Sequence, residues 1–397
     1  MTGPSTGLRD APWLDRWLDE HGSGLITFRR ELHQNPELGY AEHRTTERLA
    51  AALSRAGLQP HVLPTGTGLY CDIGTGKRVV ALRADIDALP LQDAKDVPYA
   101  SSVPDVCHAC GHDAHTTAVL GAALALASAP ELPGRVRVVF QPAEEAIPGG
   151  ALDAIDGGVL KDVERIFALH CDPRLETGRV GLRSGPITAA CDKVDVLLSG
   201  PGGHTARPHR TVDLVYALGR VITDVPGLLS RRADPRHGMS LVWGAVQAGV
   251  APNTIPQSGT VSGTVRMLDR DAWDAAEGLV SALIEEVVAP TGATVEVRYE
   301  QGVPPVSNDV ASTAAFRAGV QAALGPDAAT DTEQSLGGED FAWYLGHVPG
   351  ALARLGVRAP DATGPYLDLH QPTFDIDERA LAVGVRVLAH TALTVLG

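Results

Sequence analysis

Hydrophobic and polar positions along the chain switch between two periods. From Trp13 to Ala56 the apolar residues recur at helical spacing, with a break near Asn35 and Pro36, because the residue before a proline avoids the helical region. A β-branched run follows in KRVVALRADID from Lys77, and a second, RVRVVFQPAEE from Arg135, stops at Pro142. Between them lie CHACGHDAH from Cys107 and an alanine-rich helix. ERIFALHCDP from Glu164 predicts another strand, stopping at His170. Strands alternating with helices predict an α/β architecture, a mostly parallel sheet with helices on both faces.

The middle of the chain has a different rhythm. KVDVLLSGPGG from Lys193 reads as a strand, TVDLVYALGRVITDVPGLLSRR from Thr211 as a helix, and SLVWGAVQAG from Ser240 with SGTVSGTVRMLD from Ser258 as two strands. A helix from Ala272 and a strand from Ala293 complete a β-α-β-β-α-β order, the pattern of a ferredoxin-like α+β unit. The expected layout is therefore a discontinuous domain, residues 1–185 and 303–397, carrying an insertion of residues 186–302. The outer domain resumes with a helix near Ser312 and ends in a helix over ERALAVGVRVLAHTALTVL.

Composition narrows the partners. The 397 residues carry 48 acidic and 33 basic side chains, a formal charge of −15, and such a field repels polyanions and anionic headgroups. No nucleic acid and no membrane are the expected partners. The first thirty residues lack a basic region followed by an apolar run, and the five cysteines are sparse and odd in number, so a reducing, cytoplasmic location is expected.

Candidate chemistry clusters just past predicted strand ends, where open α/β sheets bind ligands. Asp85 follows VVALRA, Glu144 and Glu145 follow VRVVFQ, and His170 follows IFAL, while Cys110 and His112 precede a helix. Thiolate, imidazole and carboxylate are the ligand kit of zinc and its neighbours. Each alone has a plainer reading. Cys107 and Cys110 form half of a structural zinc knuckle whose second pair is missing, Glu144 and Glu145 suit a solvated edge or a helix N-terminus, and His170 and His370 suit structural histidines.

The strings RRELHQNPEL, ALRADIDALPLQD, CHACGHDAHTTAVLGAA, VVFQPAEE, FALHCDP, GGHTARPHRTVD, APNTIPQSGTVSGTVR, GGEDFAWY and LHQPTFDIDE, in order from about Phe28 to Arg379, strongly resemble the M20 metallopeptidase superfamily. The likeness is nearest to its amidohydrolase branch, which includes hippurate hydrolases, N-acyl-amino-acid amidohydrolases and auxin-conjugate hydrolases. The resemblance implies two divalent metal ions per subunit, Zn, Mn, Co or Ni, held by Cys110, His112, Glu145, His170 and His370, with Cys110 bridging. It implies Glu144 as general base and Asp85 as support of the ligand shell, with Arg83 standing where other branches carry a histidine ligand. In the inserted domain, a lid and dimerisation module, it implies His204 as a donor to the developing oxyanion and Asn253 and Arg266 as substrate contacts. A homodimer through that domain and a small N-acyl amino acid substrate follow as expectations. Cys107 departs from the family pattern, where an apolar residue is usual, and as a thiol it opens oxidation or an alternative metal pose. Other readings are a dipeptidase of the same superfamily and a metal-binding protein without turnover, the latter opposed by the presence of Glu144, which binds no metal in the family. A cysteine hydrolase built on Cys110 is weaker still.

Overall fold

The computed structural model describes residues 11–397, which divide into two compact units. The larger consists of residues 11–185, 308–333 and 343–397, and the smaller of residues 186–307 and 334–342.

The larger unit is built on an eight-stranded sheet in the order His61–Val62, Leu69–Gly74, Arg135–Gln141, Val79–Asp85, Val163–Glu176, Gly350–Arg358, Val180–Leu182 and Ala329–Asp331. The four central strands, from Arg135–Gln141 to Gly350–Arg358, run parallel. Leu69–Gly74 pairs antiparallel on one side and Val180–Leu182 antiparallel on the other. Val79–Asp85 is buried at every position, which is why it reads as a continuous apolar run instead of an alternation. Helix His112–Ala127 is buried nearly all round for the same reason and packs on the N-terminal helix Pro12–Gln34 and the C-terminal helix Arg379–Leu396. The C-terminal helix is apolar and long enough to cross a membrane, yet 72% of it is buried inside the protein, the signature of a core helix.

Two features differ from the sequence expectation. The strand expected to stop at His170 continues to Glu176, because the parallel Gly350–Arg358 strand runs beside it, pairing Arg354 with His170 and Leu355 with Cys171. That partner strand was not anticipated: GALARLGVR, buried along nearly its whole length, shows no alternation, and its glycines and alanines lower its apparent strand propensity.

The smaller unit has a four-stranded antiparallel sheet in the order Ser240–Ala248, Ser258–Met267, Ala190–Ser199 and Thr294–Val303, with helices Leu214–Arg232 and Arg270–Val288 packed on it. Val194, Val196, Leu198, Val261 and Val265 alternate inward and are buried. Asp213 and Asp269 cap the two helices by accepting the backbone N–H of Tyr216 and Ala272.

Candidate metal centre

The site is assembled at the carboxyl ends of the parallel strands. Gly111 turns the chain into helix His112–Ala127 with φ +87°, and a Cβ there would lie 2.7 Å from Cys171 Sγ, so only glycine fits. The turn sets Cys110 and His112 side by side, both buried. Cys110 Sγ lies 3.6 Å from His170 Nε2. The Cys110 sulfur, a His112 ring nitrogen and a Glu145 oxygen all fall within 4.8 Å of one another. His370 Nε2 is 3.2 Å from Glu145 Oε1, and His112 Nε2 is 3.8 Å from Glu144 Oε2. Six side chains from four distant segments thus meet around one small volume.

The donor atoms suit a cation. His112 Nδ1 lies 3.0 Å from the Asp87 carbonyl oxygen and 3.1 Å from Asp87 Oδ1, and His170 Nδ1 donates to the Cys171 carbonyl at 2.8 Å. A carbonyl can only accept, so Nδ1 carries the proton in each ring and Nε2 faces the centre, the outer-shell arrangement of metal-binding histidines. His112 Nε2 is buried, 3.8 Å from Glu144 Oε2 and 3.9 Å from Glu145 Oε1. Burial pushes the Cys110 thiol up, with Glu145 and Glu144 adding to the rise and His112 opposing it; a coordinated cation would deprotonate it. Burial opposes the imidazolium form of His112, but Asp85 and Asp87 outweigh it and raise its pKa, so a cation there competes with a proton. His170 is lowered by burial and by Arg354.

Glu144 and Glu145 sit on a strained turn. Ala143 has φ +54°, outside the ordinary range for a residue with a side chain, and such strain persists only where neighbours over-determine it. They do so here. The Ala143 N–H donates to Glu42 Oε1 at 2.7 Å, the Glu145 N–H to Asp87 Oδ2 at 2.9 Å, and the Gly150 N–H to the Ala143 carbonyl at 2.9 Å. Two buried carboxylates from the first ninety residues therefore hold the amides on either side of Glu144. Burial, with the Asp87 charge adding to it against the backbone hydrogen bonds, pushes Glu42 up to about 7.

Asp85 accepts from Arg83 at 2.7 Å and lies 2.7 Å from His115 Nδ1, while its Oδ2 stays 3.9 Å from His112 Nε2. His115 Nε2 in turn accepts the Cys171 N–H at 2.8 Å, so Asp85 supports the strand that carries His170. Arg83 is buried and also donates to Gln141, the last residue of the strand before Pro142. Sequence reasoning missed Glu42, Asp87 and His115. Asp87 had a signal, since it lies two residues from Asp85 in RADID, whereas nothing in GYAEHRTT marks Glu42 as buried. Cys107 is buried, its backbone bridged to Leu89, and its thiol is pushed up to about 11 by burial.

In the smaller unit His204 lies exposed on the short strand Gly203–His204, paired with Thr254–Ile255, and Asn253 adjoins that ribbon through its carbonyl, which accepts the Thr205 N–H at 3.3 Å. Arg266 lies elsewhere in that unit, on the Ser258–Met267 strand, where it donates to the Leu336 carbonyl.

With this fold and site in view, the chain belongs to the peptidase family M20/M25/M40, whose model matches residues 81–394. It is 50% identical over 382 residues to a Rhodococcus jostii protein that bears a glutamate–cysteine ligase name; the match covers 96% of this chain but only 47% of that relative, so the chain spans about half of its length. N-acetylcysteine deacetylase of Bacillus subtilis is 36% identical over 382 residues, covering 94% of this chain and 97% of the relative. The crystal structure of the Bacillus subtilis YXEP protein, described as a dinuclear metal binding peptidase from the M20 family, superposes with a TM-score of 0.82 at 34% identity, covering 95% of this chain and 99% of that one. The architecture is thus that of an M20 hydrolase.

Proposed function

We propose that this chain is a metal-dependent amidohydrolase that cleaves the amide bond of N-acyl amino acids. The observation that carries the reading is the convergence of Cys110, His112, Glu145, His170 and His370 beside the Glu144 carboxylate. The similarity to a deacetylase of N-acetylcysteine supports the acyl amino acid class.

The five residues, Cys110 as a thiolate among them, would hold two divalent cations. When bound, such a pair polarises the amide carbonyl and can lower the pKa of a water from 15.7 to about 7. Glu144 accepts the proton of the attacking water and passes it to the leaving amine, serving as base and then acid. Asp87 and Glu42 fix the turn that aims it. His204 is assigned the donor to the developing oxyanion, and Asn253 and Arg266 the substrate contacts. The inserted unit, taken as residues 186–302, is assigned the lid and the dimer contact, with a cytoplasmic location. For the dimer, the two sheet edges differ. The outer strand Thr294–Val303 exposes Glu296, Arg298 and Glu300, side chains that guard against pairing, whereas Ser240–Ala248 exposes Val242 and Val246.

The test is turnover by the metal-loaded protein against N-acetyl, N-benzoyl and aminoacyl amino acids. Glu144→Gln should keep its metal content and lose about 10²- to 10⁴-fold in kcat. Unchanged turnover would refute the role of Glu144. A preference for aminoacyl substrates would point instead to a dipeptidase.

A further inference from the structure

The ligand candidates are not equally supported. Cys110, His112 and His170 are at most 9% exposed and sit on, or directly beside, regular elements. His370 lies at the end of an irregular segment whose residues 360–368 are all exposed, its own side chain is 52% exposed, and its backbone stands at φ +59°. The exposed segment before it offers little support: its own N–H donates to the Ala109 carbonyl, and the chain on its C-terminal side leads to Arg29.

Arg29 is fully buried on the N-terminal helix. Its Nε lies 2.6 Å from Asp113 Oδ2, and Asp113 directly follows His112. Its Nη2 donates to Asp375 Oδ1 at 2.8 Å, five residues beyond His370. The second oxygen of Asp375 accepts the Tyr99 hydroxyl at 2.7 Å. One guanidinium therefore ties the helix carrying His112 to the segment carrying His370. A backbone bond from Ala94 to the Pro372 carbonyl and one from His370 to the Ala109 carbonyl run alongside it. Buried ion pairs are weak contributors to stability, since well-packed apolar residues of similar volume often do as well or better. Geometry is what an apolar substitute would not supply.

We propose that Arg29, through Asp375 and Tyr99, is the positioning device that delivers His370 to the metal centre, so that this contact governs the affinity of one cation and not the other. The inference rests on the metal-centre reading above. Arg29 touches no ligand and is a positioning residue. Because removing it would strand Asp113 in the interior, the milder variants Asp375→Asn and Tyr99→Phe carry the test, with Arg29→Lys as a third.

Metal-free protein is titrated with Zn²⁺ against a chromophoric chelator, and unfolding of the same samples is followed to check integrity. The native chain should take up two ions in separable steps. Asp375→Asn should weaken one step about 10- to 100-fold, the range for loss of an outer-shell partner, and leave the other unchanged. His370→Ala should weaken the same step, and the double variant Asp375→Asn/His370→Ala should bind no more weakly than His370→Ala alone, since the two changes act through one contact. Tyr99→Phe should do the same in smaller measure, and Arg29→Lys, keeping charge but losing the fork, should fall between. Unaltered affinities, equal weakening of both steps, or additive losses in the double variant would overturn the proposal while leaving the metal centre standing. A native chain that binds no metal would instead overturn the centre itself, and this inference with it.

Discussion

Replacing Glu42 by glutamine should remove a pH dependence that the wild-type fold carries. Glu42 has no exposed surface, and its Oε1 accepts the Ala143 N–H. Burial and the neighbouring Asp87 charge raise its pKa from 4.5 to about 7. Between those values the folded chain keeps a proton that the unfolded chain releases, so the unfolded state binds fewer protons and stability falls as pH rises through the window. At about 1.4 kcal/mol per pH unit, the gap from 4.5 to about 7 corresponds to about 3 kcal/mol lost by pH 8. Glutamine cannot ionise but can still accept the Ala143 N–H. Any fixed cost of its NH₂ group is the same at every pH and cancels. Urea unfolding of both proteins, stripped of metal, from below pH 4.5 to about pH 8 should show the stability difference shifting toward the variant by about 3 kcal/mol. A constant difference across that range would refute the claim that Glu42 is held protonated by burial.

Two further outcomes follow from the site and the sheet edge. Asp87→Asn removes the negative charge behind His112 Nδ1 while leaving an acceptor for the Glu145 N–H, and should lower metal affinity about 10- to 100-fold in a chelator competition; equal affinity would show that Asp87 only packs. Val242→Lys places a charge on the exposed apolar edge strand; if the proposed dimer pairs there, the variant should sediment as a monomer in analytical ultracentrifugation where the native chain sediments as a dimer, and equal sedimentation of the two would refute that placement.

Much of the layout was readable because local signals and tertiary context agree. The runs at Val79 and Arg135 are β-branched and end where the site begins, and the β-α-β-β-α-β order of the smaller unit follows its alternating valines. Reading failed where complete burial coincides with weak strand formers such as glycine and alanine, or where a role depends on distance. Gly350–Arg358 is a central strand without alternation, and its hidden pairing also concealed the continuation of the chain past His170. Residues 334–342 group with the inserted unit although the insertion was expected to end at 302, because compactness is decided by contacts that spacing does not encode. Cys110, His112, Glu145, His170 and His370 were identified by family likeness, and composition alone would not have separated them from structural residues.

The buried residues around the site share a logic that the six converging side chains alone do not reveal. Asp85, Asp87, Asp113 and Glu42 are all buried within one small region already holding Glu144 and Glu145. Arg83 answers Asp85 and Arg29 answers Asp113, and His115 and His33 lie 2.7 Å from the same two carboxylates. Asp87 accepts the Glu145 N–H and faces His112 Nδ1 at 3.1 Å, whereas among the described residues Glu42 has no cationic partner; it accepts the Ala143 N–H and moves toward the protonated form. A fold that leaves the Glu42 carboxyl raised beside a cysteine whose thiol is also raised is poised for positive charge, because both groups gain when a cation arrives. The carboxylates that steer the Glu144 turn would then also tune how strongly the centre holds its ions, so geometry and affinity are set by the same side chains.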